Sequence, residues 1–165
     1  LRYRLGDLVK IISLRDEETG TKLPQMMFQS RADDVIDIAG FARLDEKTVW
    51  QAIKNTELSY VDWSARKEYI QEKPVLHIYL ELEKDGFNRD EVQGIIDRQL
   101  TALDNDYGDL RSMTGEQPLV VTLLAQGTFQ QYLEKKRADG FDLAHLKPPH
   151  MNPPDEVLDE LLHFG

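Results

Sequence analysis

Nine residues restrict the fold of this chain more than any others. From 75 to 83 the side chains alternate, with Leu76, Ile78, Leu80 and Leu82 on one side and His77, Tyr79, Glu81 and Glu83 on the other. Period two is the pattern of a strand with one buried face, and Pro74 suits its entrance. The flanks say what covers that face. Asn88 with Glu91 forms a capping box and Phe87 with Val92 a hydrophobic staple, so a helix starts there and buries Val92, Ile95, Ile96, Leu100 and Leu103. Upstream, Asp45 caps a second helix, stapled by Leu44 and Val49, whose apolar face is Val49, Trp50 and Ile53. Strands are predicted at 35–38, 58–66 and 119–124. From Val35 to Leu124 the order is therefore strand, helix, strand, strand, helix, strand. This is the split β-α-β-β-α-β pattern of a ferredoxin-like α+β sandwich, with helices on one face of a mostly antiparallel sheet.

Other segments lie outside that pattern. Residues 8–14 and 24–29 predict a β-hairpin around the polar tract Arg15–Lys22, and Arg31–Asp34 is a polar joint behind it. Tyr107–Gln117 reads as a glycine-punctuated loop, and Thr128 with Gln131 opens a helix that ends near Gly140. A proline-bounded segment then leads to a last amphipathic helix carrying Val157, Leu158, Leu161 and Leu162. The chain opens at Leu1 in strand-like sequence, as expected of a piece of something longer.

Charge and composition narrow the partners. Twenty Lys plus Arg against 30 Asp plus Glu give a net charge of −10, which disfavours nucleic acid and anionic membrane. The absence of cysteine removes disulfides and thiolate chemistry and fits a cytoplasmic protein. The longest apolar run, Leu119–Ala125, is far too short to span a bilayer, and no signal peptide is evident.

Two strings stand out chemically. In Arg2-Tyr3-Arg4-Leu5-Gly6-Asp7, ahead of the first strand, an edge Asp can accept two hydrogen bonds from a vicinal diol such as a ribose. In Ser30-Arg31-Ala32-Asp33-Asp34-Val35-Ile36-Asp37-Ile38-Ala39-Gly40, a guanidinium fork beside a polar joint can meet hydroxyl or phosphate oxygens. Each string alone is an ordinary turn. Other candidates are weaker. His145 and His150 lack a third ligand, so no metal site is expected. His77 should be partly exposed, and Trp50 and Trp63 should be core or sheet-face residues. Tyr107–Gln117 could be a lid, but it has no phosphate loop.

Taken together, the two strings resemble the acyl-adenylate-forming superfamily of acyl-CoA synthetases, luciferases and peptide-synthetase adenylation domains. Leu1–Val9 and the Pro24–Phe28 strand look most like the auxin-responsive acyl acid amido synthetases, with the phenylacetate-CoA ligases close behind. The resemblance implies that residues 1–31 are the C-terminal edge of a large ATP- and acid-binding domain, and that 32–165 are the small mobile C-terminal domain. It implies that Asp7 holds the adenosine ribose, Arg31 supports that contact, Asp33 is the hinge, and Ala39-Gly40 faces the substrate tunnel. The implied substrates are ATP, passing through acyl-AMP, a small carboxylic acid, and an amino acid or coenzyme A as acceptor. Mg2+ would be bound mainly by the missing domain, and the main protein partner would be the chain's own N-terminal domain.

Departures accompany the likeness. Ser30 stands where many members have Gly, and Gly40-Phe41-Ala42-Arg43-Leu44 is one residue longer than the usual Gly-x-Arg-Leu, which puts Arg43 one position out of step with it. The usual Gly-Lys motif near the C-terminus is absent. Lys147, in His145-Leu146-Lys147-Pro148-Pro149-His150, is its best substitute as the catalytic lysine facing the α-phosphate; otherwise it is a surface lysine in a linker. The alternative to a ligase domain, which alone would be inactive, is a non-catalytic ferredoxin-like module that binds a ligand or a partner.

Overall fold

Long-range pairing of two strands organises the molecule. The structure, a computed structural model, describes residues 7–15, 19–31, 34–141 and 146–164, with the backbone only for 7, 8 and 28–31. Strands β1 (Asp7–Ser13) and β2 (Gln25–Arg31) form the expected antiparallel hairpin. Strand β3 (Val35–Ile38) pairs with β4 (Ala42–Asp45), a strand of four residues too short to announce itself by periodicity. Between them Ala39 and Gly40 both take positive φ, and the Phe41 amide donates to the Ile38 carbonyl, a hairpin turn that suits the glycine. Helix α1 (Glu46–Lys54) follows, capped by Asp45 as its sequence predicts, with the Thr48 amide donating to Oδ1 at 2.8 Å.

The main sheet has the order β5-β6-β7, from β5 (Tyr60–Ile70), β6 (Lys73–Leu82) and β7 (Leu119–Leu124). The pair β5–β6 is antiparallel and β6–β7 parallel. The elements predicted between Val35 and Leu124 are present in an α+β domain, but β3 pairs with β4 instead of entering this sheet, so β6 and β7 are direct neighbours. A parallel neighbour requires a long crossover. It is supplied by α2 (Arg89–Leu103), capped by Asn88, and α3 (Asn105–Thr114). Helix α3 occupies the stretch read as a loop. Its caps, Asp104 before it and Gly115 in the left-handed conformation after it, hold a segment with only two buried side chains, Tyr107 and Leu110.

Alternation along β6 then builds two layers. Leu76, Ile78, Leu80 and Leu82 join the main core with Val49, Ala52 and Ile53 of α1, Val92, Ile96 and Leu100 of α2, and Trp63 of β5. Trp50 was expected on that face of α1, yet it lies at the rim under the Lys54 ammonium, and Ala52 takes the buried place. Leu103 and Leu162, also expected inside, are exposed near the ends of their helices. The opposite face of the sheet is not bare. Tyr79 and Leu124 pack there on Phe129 and Tyr132 of α4 (Thr128–Ala138) and on Leu158 and Leu161 of α5 (Asp155–His163), so helices flank both faces rather than one.

Helix α4 has no side-chain cap of its own. Glu81, buried on β6, reaches across and accepts from the Gly127 and Phe129 amides at 2.6 and 2.8 Å, placing a carboxylate at the positive end of the helix.

Candidate functional site

The residues singled out from sequence fall on three elements. Asp7 and Arg31 are register partners across the β1–β2 hairpin, so a carboxylate and a guanidinium residue 24 positions apart occupy facing positions. Asp33 and His145 lie outside the described residues. Ala39 and Gly40 form the tip of the β3–β4 hairpin, where Asp37 accepts from the Gly40 amide at 2.7 Å and from Arg43 Nε at 3.3 Å. That amide is the chief reason the Asp37 carboxyl lies below its ordinary range, against burial, with Arg43 and Lys67 adding to it. Ala39 also borders a cavity of about 610 Å³ at the end of the sheet, floored by Val75, Leu110 and Val120.

Lys147 belongs to a different element, a strap laid along the free edge of β5. The Ala65 amide donates to the His150 carbonyl at 2.7 Å, the Asn152 amide to the Ala65 carbonyl at 2.8 Å, and Ser64 Oγ to the Pro149 carbonyl at 2.9 Å. Met151 thereby forms a parallel bridge with Ala65. Side chains on either side of the lysine, Leu146 and Pro148, are buried while Lys147 itself is exposed. Two prolines suit this docking, because an extended backbone with fixed φ loses little entropy on being held. A lysine that would be mobile in a free linker is instead presented from a fixed base.

His150 fastens the strap to two other elements. Its Nδ1 lies 2.7 Å from Glu46 Oε1 at the start of α1, and its Nε2 lies 2.8 Å from Asp62 Oδ1 on β5. The ring stacks on Trp63 at 4.5 Å and 11°. The bond to Asp62 is the main reason the imidazole is held above its ordinary range, against burial and with help from Glu46. For Asp62, burial pushes upward, but His150, the Trp63 amide and the nearby Lys147 charge outweigh it and leave the carboxyl low.

A second polar cluster lies on the sheet itself. Glu68 accepts from Tyr79 Oη and Arg66 Nε, both at 2.6 Å, and lies 2.6 Å from His77 Nδ1, while His77 Nε2 meets Thr122 Oγ1 at 2.8 Å. Arg66 also bonds Asp155 of α5 at 2.5 Å. Burial alone would raise the Glu68 carboxyl, yet its donors, Tyr79 first, bring it down to about 2. Tyr79 is pushed up by burial and by Glu68. Among the described residues no three His, Asp or Glu side chains converge as a metal site.

Glu46, Asp62 and His150 escaped sequence reasoning as a group because 16 and 88 positions separate them along the chain. The charged pattern around each is ordinary. What could have pointed to the strap is Lys-Pro-Pro-His followed by Met, a stiff segment carrying one apolar side chain for burial.

A family model described as the GH3 family C-terminal domain matches residues 46–155, about two thirds of the chain. The chain belongs to the GH3 family. The match bears out the resemblance to the amido synthetase family on residues 46–155, a stretch that includes neither of the two strings that carried it. Among solved structures, a GH3.15 acyl acid amido synthetase superposes on this GH3 domain with a TM-score of 0.62 at 20% identity, covering 97% of this chain and 30% of the other. AtGH3.15 acyl acid amido synthetase in complex with 2,4-DB gives 0.61 at 20% identity, with the same coverages. A domain of phenylacetate-coenzyme A ligase from Bacteroides vulgatus ATCC 8482 gives 0.38 at 12% identity, over 73% of this chain and 92% of that domain. At 20% identity the likeness to the two amido synthetases is one of fold. No curated protein sequence matches the GH3 domain. It spans about 30% of the length of the amido synthetases it resembles, and among the described residues no helix is long and apolar enough to cross a membrane.

Proposed function

We propose that this GH3 domain is the mobile C-terminal part of an ATP-dependent ligase that converts a carboxylic acid to its acyl-AMP and passes the acyl group to the amine of an amino acid. Family membership over residues 46–155 carries the proposal. The amido synthetase likeness favours an amine acceptor over coenzyme A.

In this scheme Lys147 supplies a fixed positive charge at the α-phosphate, where negative charge builds as the carboxylate attacks. A charge already in place costs no reorganisation at that moment. Asp7 accepts hydrogen bonds from the ribose hydroxyls, Arg31 opposite it steadies that contact, and Asp33 is the pivot between residues 1–31 and the domain 32–165. Closing over the nucleotide excludes water during adenylation, and rotation about the pivot admits the amine. Mg2+ arrives with ATP and is bound by the N-terminal domain. The apolar residues of β1 and β2, Val9, Ile11, Met26 and Met27 among them, stand exposed here and suit an edge that packs on that domain.

The test is acid-dependent ATP–pyrophosphate exchange by the full-length enzyme, over a panel of carboxylic acids that includes 2,4-DB. Lys147→Ala is expected to lower exchange by about 100-fold or more, the scale of a lost transition-state donor, while sparing amine transfer from supplied acyl-AMP. Unchanged exchange in a variant of wild-type stability would remove Lys147 from the reaction. Robust exchange by residues 1–165 alone would overturn the two-domain scheme.

A further inference from the structure

We infer that His150 is the positioning residue for Lys147, an imidazolium that bridges Glu46 and Asp62 and so clamps the lysine-bearing strap against β5 only while it is doubly protonated. Its catalytic consequence rests on the proposed role of Lys147; the clamp itself does not.

The argument begins with donors and acceptors. A neutral imidazole has one donor nitrogen and one acceptor nitrogen, whereas an ionised carboxylate only accepts. His150 faces carboxylate oxygens at both nitrogens, at 2.7 and 2.8 Å. Only the doubly protonated ring satisfies both. Loss of either proton turns one contact into lone pair against lone pair, at a site where Trp63 seals one face of the ring.

The two charged groups in contact with the ring agree in sign. Helix α1 contributes Glu46, and β5 contributes Asp62 together with the uncharged Trp63. The strap contributes Lys147, whose charge acts on Asp62. Strand β3 reaches the strap through the Val35 carbonyl, which accepts from Asn152 Nδ2 at 3.5 Å. Two negative groups therefore face the ring directly, and the groups that shift its proton affinity upward are those same two carboxylates.

The clamp is also placed to matter. His150 donates no strength to the lysine itself, but its own carbonyl accepts the Ala65 amide, and Ala65 in turn accepts from Asn152. The ring and the backbone bridge thus grip the same residue. Pro148 and Pro149 transmit that grip to Lys147 with few free torsions between. Because the imidazole is held above its ordinary range in the docked strap, docking is fully favoured below the ordinary histidine pKa. It is lost as pH rises through the docked one.

The Ala65 and Asn152 amides report on docking, since each is bonded across the strap. Their hydrogen exchange, corrected for the intrinsic base-catalysed rate, would be followed by NMR from about pH 6 to pH 9, with Ile78 in the central strand as a control. In the wild-type chain, protection at both amides is expected to fall by about tenfold or more across that range, while Ile78 holds. His150→Gln should leave both amides weakly protected at every pH. His150→Arg, a permanent cation, should restore protection and make it flat with pH. Wild-type protection that does not change with pH, or that survives in His150→Gln, overturns the clamp.

In the full-length enzyme, His150→Arg should also flatten the alkaline fall in kcat for adenylation. A fall that persists while the amides show the strap docked overturns the positioning role. If exchange titrates as expected and Lys147→Ala leaves adenylation untouched, the fault lies with the assignment of Lys147, and the clamp stands.

Discussion

Two histidines of this domain meet the same kind of partner in different company. His77, on β6, lies between the Glu68 carboxylate and the Thr122 hydroxyl, stacked on Tyr79 at 4.2 Å. His150, on the strap, lies between two carboxylates and stacks on Trp63. A hydroxyl can donate or accept, so a neutral ring satisfies both contacts of His77, and that cluster is a tie between three strands. A second carboxylate removes the choice. The residue type and the stacking are shared, and one oxygen separates a pair of contacts that either form of the ring can meet from a pair that only the doubly protonated ring can.

Trp63→Ala should break the comparison hardest. The indole is fully buried in the main core and forms the platform under His150, so its loss is expected to cost about 3 to 5 kcal/mol. Urea denaturation would measure this, and the cross-strap bonds at Ala65 and Asn152 should weaken more than those around His77. Glu68→Gln attacks the other side of the comparison. Glu68 accepts from charged and neutral donors while remaining partly open to solvent, so about 2 kcal/mol is expected at neutral pH. Its carboxyl is lowered from 4.5 to about 2, so this stabilisation is present above pH 4.5 and lost as pH falls through about 2. Acid titration of stability should therefore be flatter in Glu68→Gln than in the wild type. The smallest effect is expected from Ser64→Ala, which removes one part-buried hydrogen bond to the Pro149 carbonyl, about 1 kcal/mol. It should speed exchange at Ala65 while leaving the Glu68 cluster intact.

How much of this was legible in advance depended on the range of the interaction. The helices of 46–54 and 89–103 were readable because their caps and apolar faces lie within one or two turns, and Asp45 and Asn88 do cap them. The buried face of β6 was readable for the same reason. Helix α3 was not, since Gly108 and a nearly all-polar surface hide it and only Tyr107 and Leu110 are buried. The Asp97 carboxylate that Tyr107 Oη meets at 2.7 Å, inside the core, looks like any surface acid in the sequence. At the candidate site, Asp7 and Arg31 were found through motif likeness, and Lys147 through its place among prolines. Nothing local links His150 to Glu46 or Asp62, because sheet formation brings them together.

The cap of α4 makes one layer of the molecule depend on another. A helix of 11 residues without a local cap is shorter than helices that persist alone in water. The carboxylate that completes it, Glu81, is held in place by the pairing of β6 with both of its neighbours. Helix α4 therefore depends on the sheet for the bonds at its N-terminus, and the layer of Phe129, Tyr132, Leu158 and Leu161 rests on a helix that β6 completes. The two faces of one sheet thus differ in dependence as well as in composition: the helices of the α1–α2 side carry their own caps, and α4 on the other side borrows its cap from the sheet.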